Sequence, residues 1–139
     1  AIPIVPDATV GQLDLEERLV VNGRTTTTRY AAATRTYSRT YPSGRTVTVA
    51  LNAHGQPVSA AIPGLASADF AYDPRGRLVA LGVGSGSARR TNTFGYDTNG
   101  FLSVTTDAEN RTVSSTNDAV GRPTAVTFPD ARQLQIGYT

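Results

Sequence analysis

The chain has 139 residues and is 39% hydrophobic, 17% charged and 7% aromatic, with a formal net charge of +2. That size suits one domain or part of a larger one, and the balance excludes disorder driven by charge and a fibrous composition. Cys is absent, which excludes a disulfide framework and a Cys-ligated metal, and no apolar run of about 18 residues exists to span a membrane as a helix.

In chain order, AIPIVP opens an extended, irregular segment without the charged leader of a signal peptide. No Met occurs, so a processed or excised segment is expected. In residues 12–21 (QLDLEERLVV), Leu13 and Leu15 alternate with Asp14 and Glu16, which favours a strand over a short amphipathic helix. A turn follows at Gly23-Arg24, then YAAAT at 30–34, then a turn at Gly44-Arg45. Residues 45–51 (RTVTVAL) place Val47, Val49 and Leu51 on one face and Thr46, Thr48 and Ala50 on the other, a strand with one buried face. LNAHG at 51–55 and Pro63-Gly64 are the next turns. Phe70 and Tyr72 share a face and lead into YDPRG at 72–76. Residues 82–87 (GVGSGS) read as a flexible turn, with Arg89-Arg90 just after it. Phe94 and Tyr96 share a face before YDTNG at 96–100; Asn110-Arg111, NDAVG at 117–121 and Ala131-Arg132 follow. Residues 133–138 read as a clean strand with Ile136 and Tyr138 on one face, and Gly137-Tyr138-Thr139 looks like the start of one more unit.

These turns form two interleaved series. Gly55, Gly76, Gly100 and Gly121 are separated by 21, 24 and 21 residues, and one step back from Gly55 falls on Thr34. Gly23, Gly44, the 64–65 turn, Gly86, Asn110 and Ala131 form the second series. Both gain three residues between 86 and 100, so one insertion explains both irregular steps. The pattern predicts an irregular or edge-covering segment at 1–19 and about five hairpin repeats at 20–139, with a core no more than thin. The repeat positions are Tyr30, Leu51, Gly55, Tyr72, Asp73, Gly76, Tyr96, Asp97, Gly100, Asn117, Asp118, Gly121 and Tyr138. Asp starts a turn by binding the backbone two residues on, Gly takes the positive φ, and Tyr covers the sheet next to the turn with its hydroxyl near water. The unit is therefore the corner of a hairpin.

Chemistry-bearing alternatives are weaker. His54 is the lone His and reads as a solvated turn residue, since a triad or zinc site needs partners. GVGSG resembles a phosphate loop but precedes a Thr-rich strand rather than a helix. Asp97-Thr98-Asn99-Gly100 and Asp107-Ala108-Glu109-Asn110 read as turns rather than calcium loops. No Trp is present to stack sugars in a glycosidase. Asn110-Arg111-Thr112 is a glycosylation sequon, relevant only to a eukaryotic secretory pathway. All 13 basic residues are Arg, scattered along the chain, and Arg89-Arg90 is the only adjacent pair, so no nucleic-acid partner is expected. No catalytic, cofactor-binding or metal-binding residue is predicted.

The signature Y-D-x-x-G-R-L stands intact at 72–78 and nearly intact at 96–102, with weaker copies at 51–57 and 117–123. YPSGRTVTV at 41–49 and FPDARQLQI at 128–136 fit the second turn of the same repeat. Over about residues 20–139 the chain resembles the YD-repeat, or Rhs-repeat, family. That family includes Rhs polymorphic toxins, bacterial wall-associated proteins, the C-component of insecticidal toxin complexes and the teneurin shell. The resemblance implies an all-β fold of consecutive antiparallel hairpins in a curved or spiralling YD-repeat sheet. It implies a structural, non-enzymatic segment of a shell or of a cell-surface or secreted protein, bacterial in source. The family's self-cleaving core carries Asp-Pro-x-Gly-Leu; here Asp73-Pro74-Arg75-Gly76 is followed by Arg77, inside an ordinary repeat. Expected partners are neighbouring repeats of a parent protein or further copies of the chain. The alternatives are a self-assembling fibre subunit and a carbohydrate-binding adhesion module using the Thr- and Arg-rich face. With two open edges and no Lys to blunt them, the chain is not expected to work as an isolated monomer.

Overall fold

The computed structural model describes residues 13–139. Among them the fold is all-β, without an α-helix, and strand order is chain order. The chain divides into two compact units, 1–69 and 70–139.

The first unit carries β1 (Leu15–Val21), β2 (Arg24–Ala31), β3 (Thr36–Thr40), β4 (Thr46–Leu51), β5 (Pro57–Ala61) and the start of β6 (Ala68–Tyr72). β1 and β2 pair antiparallel from Leu15↔Tyr30 to Val21↔Arg24. Asn22 and Gly23 close this hairpin with φ of 50° and 73°, the two-residue reversal whose twist matches that of the strands. The boundary placed at residue 20 therefore falls inside β1, and residues 1–12 lie outside the described residues. β3 and β4 pair from Thr36↔Ala50 to Thr40↔Thr46, and β4 and β5 shift register by one residue beyond Ala50.

The second unit carries the rest of β6, β7 (Leu78–Val83), a single 3-10 turn (Gly86–Ala88), β8 (Arg90–Tyr96), β9 (Leu102–Thr106), β10 (Thr112–Asn117), β11 (Pro123–Thr127) and β12 (Gln133–Gln135). Register slips by one between Gly95 and Tyr96 and between Thr116 and Asn117, just before the tight turns. Each slip is a bulge that lets a three-residue loop close.

Three sequence expectations are corrected. No hydrophobic side chain is buried among the described residues, so they form no closed core, and both faces of β4 are half-covered. A single layer has nothing to bury its apolar face against. The YAAAT turn reverses at Arg35 (φ 49°), one residue after Thr34. Without Asp or Gly the turn closes as Ala32 to Arg35, and Asp14 of the neighbouring segment accepts the Ala32 N–H at 2.8 Å. β12 ends at Gln135, after which only the Ile136 N–H continues the ladder, to the Thr124 carbonyl.

Candidate site: an interlocked corner

The corner is a four-residue turn built by one carboxylate. Gly76 donates its N–H to the Asp73 carbonyl, and Asp73 donates to the Arg77 carbonyl, both at 2.9 Å. Asp73 Oδ1 accepts the N–H groups of Arg75 and Arg77 at 2.9 Å. Its Oδ2 accepts Nε and Nη2 of Arg77 at 2.7 Å. Asp118 repeats this with Val120 and Arg122. Asn52 does so without charge: Oδ1 accepts from His54 and Gln56, and its amide donates to Gln56 Oε1. The second turn series uses the same device at Asp107, with Glu109 and Arg111.

The corner also reaches the next repeat. The Arg77 guanidinium lies 4.3 Å from the centre of the Tyr96 ring, and the Tyr96 hydroxyl donates to the Leu78 carbonyl at 2.8 Å. Arg122 lies 4.3 Å from the Tyr138 ring, and the Tyr138 hydroxyl donates to Pro123 at 2.8 Å. Each Tyr thus lies under the previous repeat's Arg, a cation–π contact, and its hydroxyl satisfies a strand carbonyl rather than water. Arg77 Nη1 is buried without a hydrogen-bond partner and stands 3.5 Å from where a Gly100 Cβ would be. Asp73 holds the guanidinium by its other edge, Nε and Nη2.

The Asp97 corner departs from this pattern at two positions together. Phe101 takes the Arg place and Asn117 takes the next Tyr place. The Phe101 ring lies on Gly121 so closely that an added Cβ would meet Cε1 at 2.6 Å. Asn117 donates its amide to Asp97 Oδ2 at 3.3 Å and to the Leu102 carbonyl at 3.1 Å. One amide therefore replaces both the Arg bond to the carboxylate and the Tyr bond to the strand.

These contacts hold the carboxyls below the usual carboxylate range. For Asp73, Asp107 and Asp118 the main cause is the N–H of the Arg four residues on; partial desolvation opposes it, and the same Arg side chain reinforces it. For Asp97 desolvation is the largest influence and pushes upward. It is outweighed by the Phe101 N–H, the Asn117 amide and two further backbone groups.

Leu51, Tyr72, Tyr96 and Asn117 are each the last residue of a strand, β4, β6, β8 and β10. Gly55, Gly76, Gly100 and Gly121 have φ between 78° and 92°. Tyr30 stands opposite Tyr37 with ring centres 4.7 Å apart. Tyr138 lies beyond β12 but still meets Arg122. His54 sits in its turn and donates its N–H to Asn52. No cluster of His, Asp or Glu among the described residues could hold a metal. The GVGSG stretch leads to one 3-10 turn, not a helix. Sequence reasoning gave Arg77 only as a letter of the signature and missed its contacts and those of Arg122, Phe101 and Gln56, because these lie across the turn or in the next repeat.

The family described as Teneurin YD-shell matches residues 8–139. No curated protein matches the chain.

Proposed function

The chain belongs to the Teneurin YD-shell family, and from that premise we propose that it is a non-enzymatic wall segment of a larger encapsulating shell, at the cell surface or secreted. The observation that carries this reading is the corner interlock. Two of the corners are fastened to the next repeat through Arg, Tyr and a strand carbonyl and a third through the Asn117 amide, while no apolar side chain among the described residues is buried. Such a layer is stabilised along its length and acquires its cover from what flanks it. No helix among the described residues is long and apolar enough to cross a membrane.

A second reading, a fibre subunit, is favoured by β1. It is the first strand in the sheet order, and Leu15, Leu19 and Val21 are each more than half exposed on one of its faces. The β1–β2 hairpin leaves the N–H and C=O groups of Glu16, Arg18 and Val20 pointing away from β2, as two-residue loops dictate. Further strands of the parent protein cover this edge in the first reading; another copy of the chain covers it in the second.

Hydrogen exchange on the 139-residue chain and on its parent protein tests the wall reading. Amides of Glu16, Arg18 and Val20 exchange fast in the chain and are protected in the parent. Equal, fast exchange in both refutes it. Sedimentation of the chain at micromolar concentration tests the fibre reading, which a stable monomer refutes. A glycan array, on which no binding is expected, separates both from an adhesion module.

A further inference from the structure

The connections within residues 70–139 are of two kinds. At Asp73, Asp97, Asp107 and Asp118 the chain reverses in a tight turn whose carboxylate accepts N–H groups of that turn. Between β7 and β8 it does not. Residues 84–89 make this connection, with positive φ at Gly84 and Gly86 and one 3-10 turn at Gly86–Ala88. Ser85 at the head of that turn makes no side-chain cap, and residues 85–90 are all exposed. No acidic residue lies between 82 and 90. The three residues that break the 21-residue spacing of both turn series fall at this connection.

The chain's only adjacent basic pair, Arg89-Arg90, ends this loop. Arg89 already has extended backbone angles, φ −67° and ψ 131°, the form in which a substrate adds as a strand to a protease cleft. Cutting beyond it requires two strand pairs to open, Val83↔Arg90 and Gly82↔Thr91. Glycines at 82 and 84 flank Val83, and glycine weakens a strand by leaving nothing to pack and more freedom to lose. This hairpin end therefore opens more readily than the hairpins closed by a carboxylate turn, and exposed loop tips of small residues are the preferred sites of nicking.

We infer that Arg89-Arg90 is a proteolytic processing site for a serine endoprotease with acidic pockets for two successive arginines, cutting after Arg90. The protease Ser Oγ adds to the Arg90 carbonyl carbon, and its His takes the hydroxyl proton. The Arg90–Thr91 C–N bond breaks as that proton passes to the leaving Thr91 amine. One water then hydrolyses the acyl ester and leaves a carboxylate on Arg90. The cut does not separate the pieces. Ala80↔Thr93 and Leu81↔Asn92 remain paired, Arg77 stays on Tyr96, and the Tyr96 hydroxyl stays on Leu78. The product is a nicked but continuous wall with a new amino terminus at Thr91.

The test treats the folded chain with a paired-arginine serine endoprotease and, separately, with trypsin, which accepts any of the 13 arginines. Mass spectrometry reads the earliest products. The expected products are 1–90 and 91–139 from the first enzyme. Trypsin is expected to cut first at Arg89 or Arg90, at least about tenfold faster than elsewhere. The pieces co-elute in size exclusion until denatured. Arg90→Gln abolishes the paired-arginine cut. Deleting residues 84–86 keeps both arginines, restores the 21-residue spacing and slows cutting at least about tenfold. Circular dichroism checks that this variant keeps its sheet; if it does not, the trypsin order on the unaltered chain decides. A first tryptic cut at another arginine overturns the inference. So does resistance of the folded chain where the denatured chain is cut, or undiminished cutting of a folded deletion variant.

Discussion

Gly121 answers to two demands at once. Its φ of 85° lies in the left-handed region, and the Phe101 ring occupies the place of a side chain. Gly55 shares the positive φ of 78° but has open space around the missing Cβ. Gly55→Ala therefore costs about 1 kcal/mol, the backbone term alone. Gly121→Ala costs about 2–4 kcal/mol, because the ring must also move. Urea unfolding of the two variants gives the comparison; equal losses refute the role of the ring. The joint departure at Phe101 and Asn117 makes a sharper prediction. Phe101→Arg alone gains a guanidinium with no ring beneath it, and Asn117→Tyr alone removes the amide from Asp97. Together they rebuild the arrangement at Arg77 and Tyr96. A double-mutant cycle is expected to show favourable coupling of about 1 kcal/mol or more. Strict additivity would mean that the two positions do not communicate.

At the scale of the element, the turn is a carboxylate lock. Asp73, Asp97, Asp107 and Asp118 all have depressed folded-state values. A depressed carboxylate contributes stability that is fully present above its unfolded value, near pH 4, and is lost as pH falls through the lower folded value. Unfolding midpoints should therefore be flat from about pH 7 to 5 and fall steeply below about pH 4. Asp118→Asn should shallow that fall, since Asn52 shows that an amide can make the same backbone bonds without titrating. Stability independent of pH down to about 2 would refute the lock. The same element shows what the sequence could disclose. Asp and Gly at fixed offsets gave the turn directly, because their conformational roles are local. The Arg that follows Gly was not legible as a partner, because its contacts are to Asp four residues back and to a ring in the next repeat.

On the scale of the whole molecule, strand order equals chain order, so strands pair with their sequence neighbours and coupling passes from repeat to repeat. Removing one fastening should then loosen the sheet locally. Tyr96→Ala is expected to speed hydrogen exchange of β7, β8 and β9 amides severalfold and leave β2 and β3 unchanged. A uniform rise across all strands would instead mean a single cooperative body. The absence of a buried apolar side chain among the described residues accords with this linearity, since each strand pairs with its neighbours in the sheet.

The sequence by itself determined the strands, the corners and their spacing, because turn chemistry and two-residue alternation act over a few bonds. It placed Leu51, Tyr72, Tyr96 and Asn117 at strand ends, and the structure has them there. Only the tertiary structure decided what the Tyr hydroxyl binds, that Phe101 and Asn117 act as a pair, and that Val47 and Val49 face no core. It also decided that the first corner turns at Arg35 and that β12 stops at Gln135. Each of these depends on what the neighbouring strand presents at a given register, and register is set by pairing across the sheet, not by the residues of one strand alone.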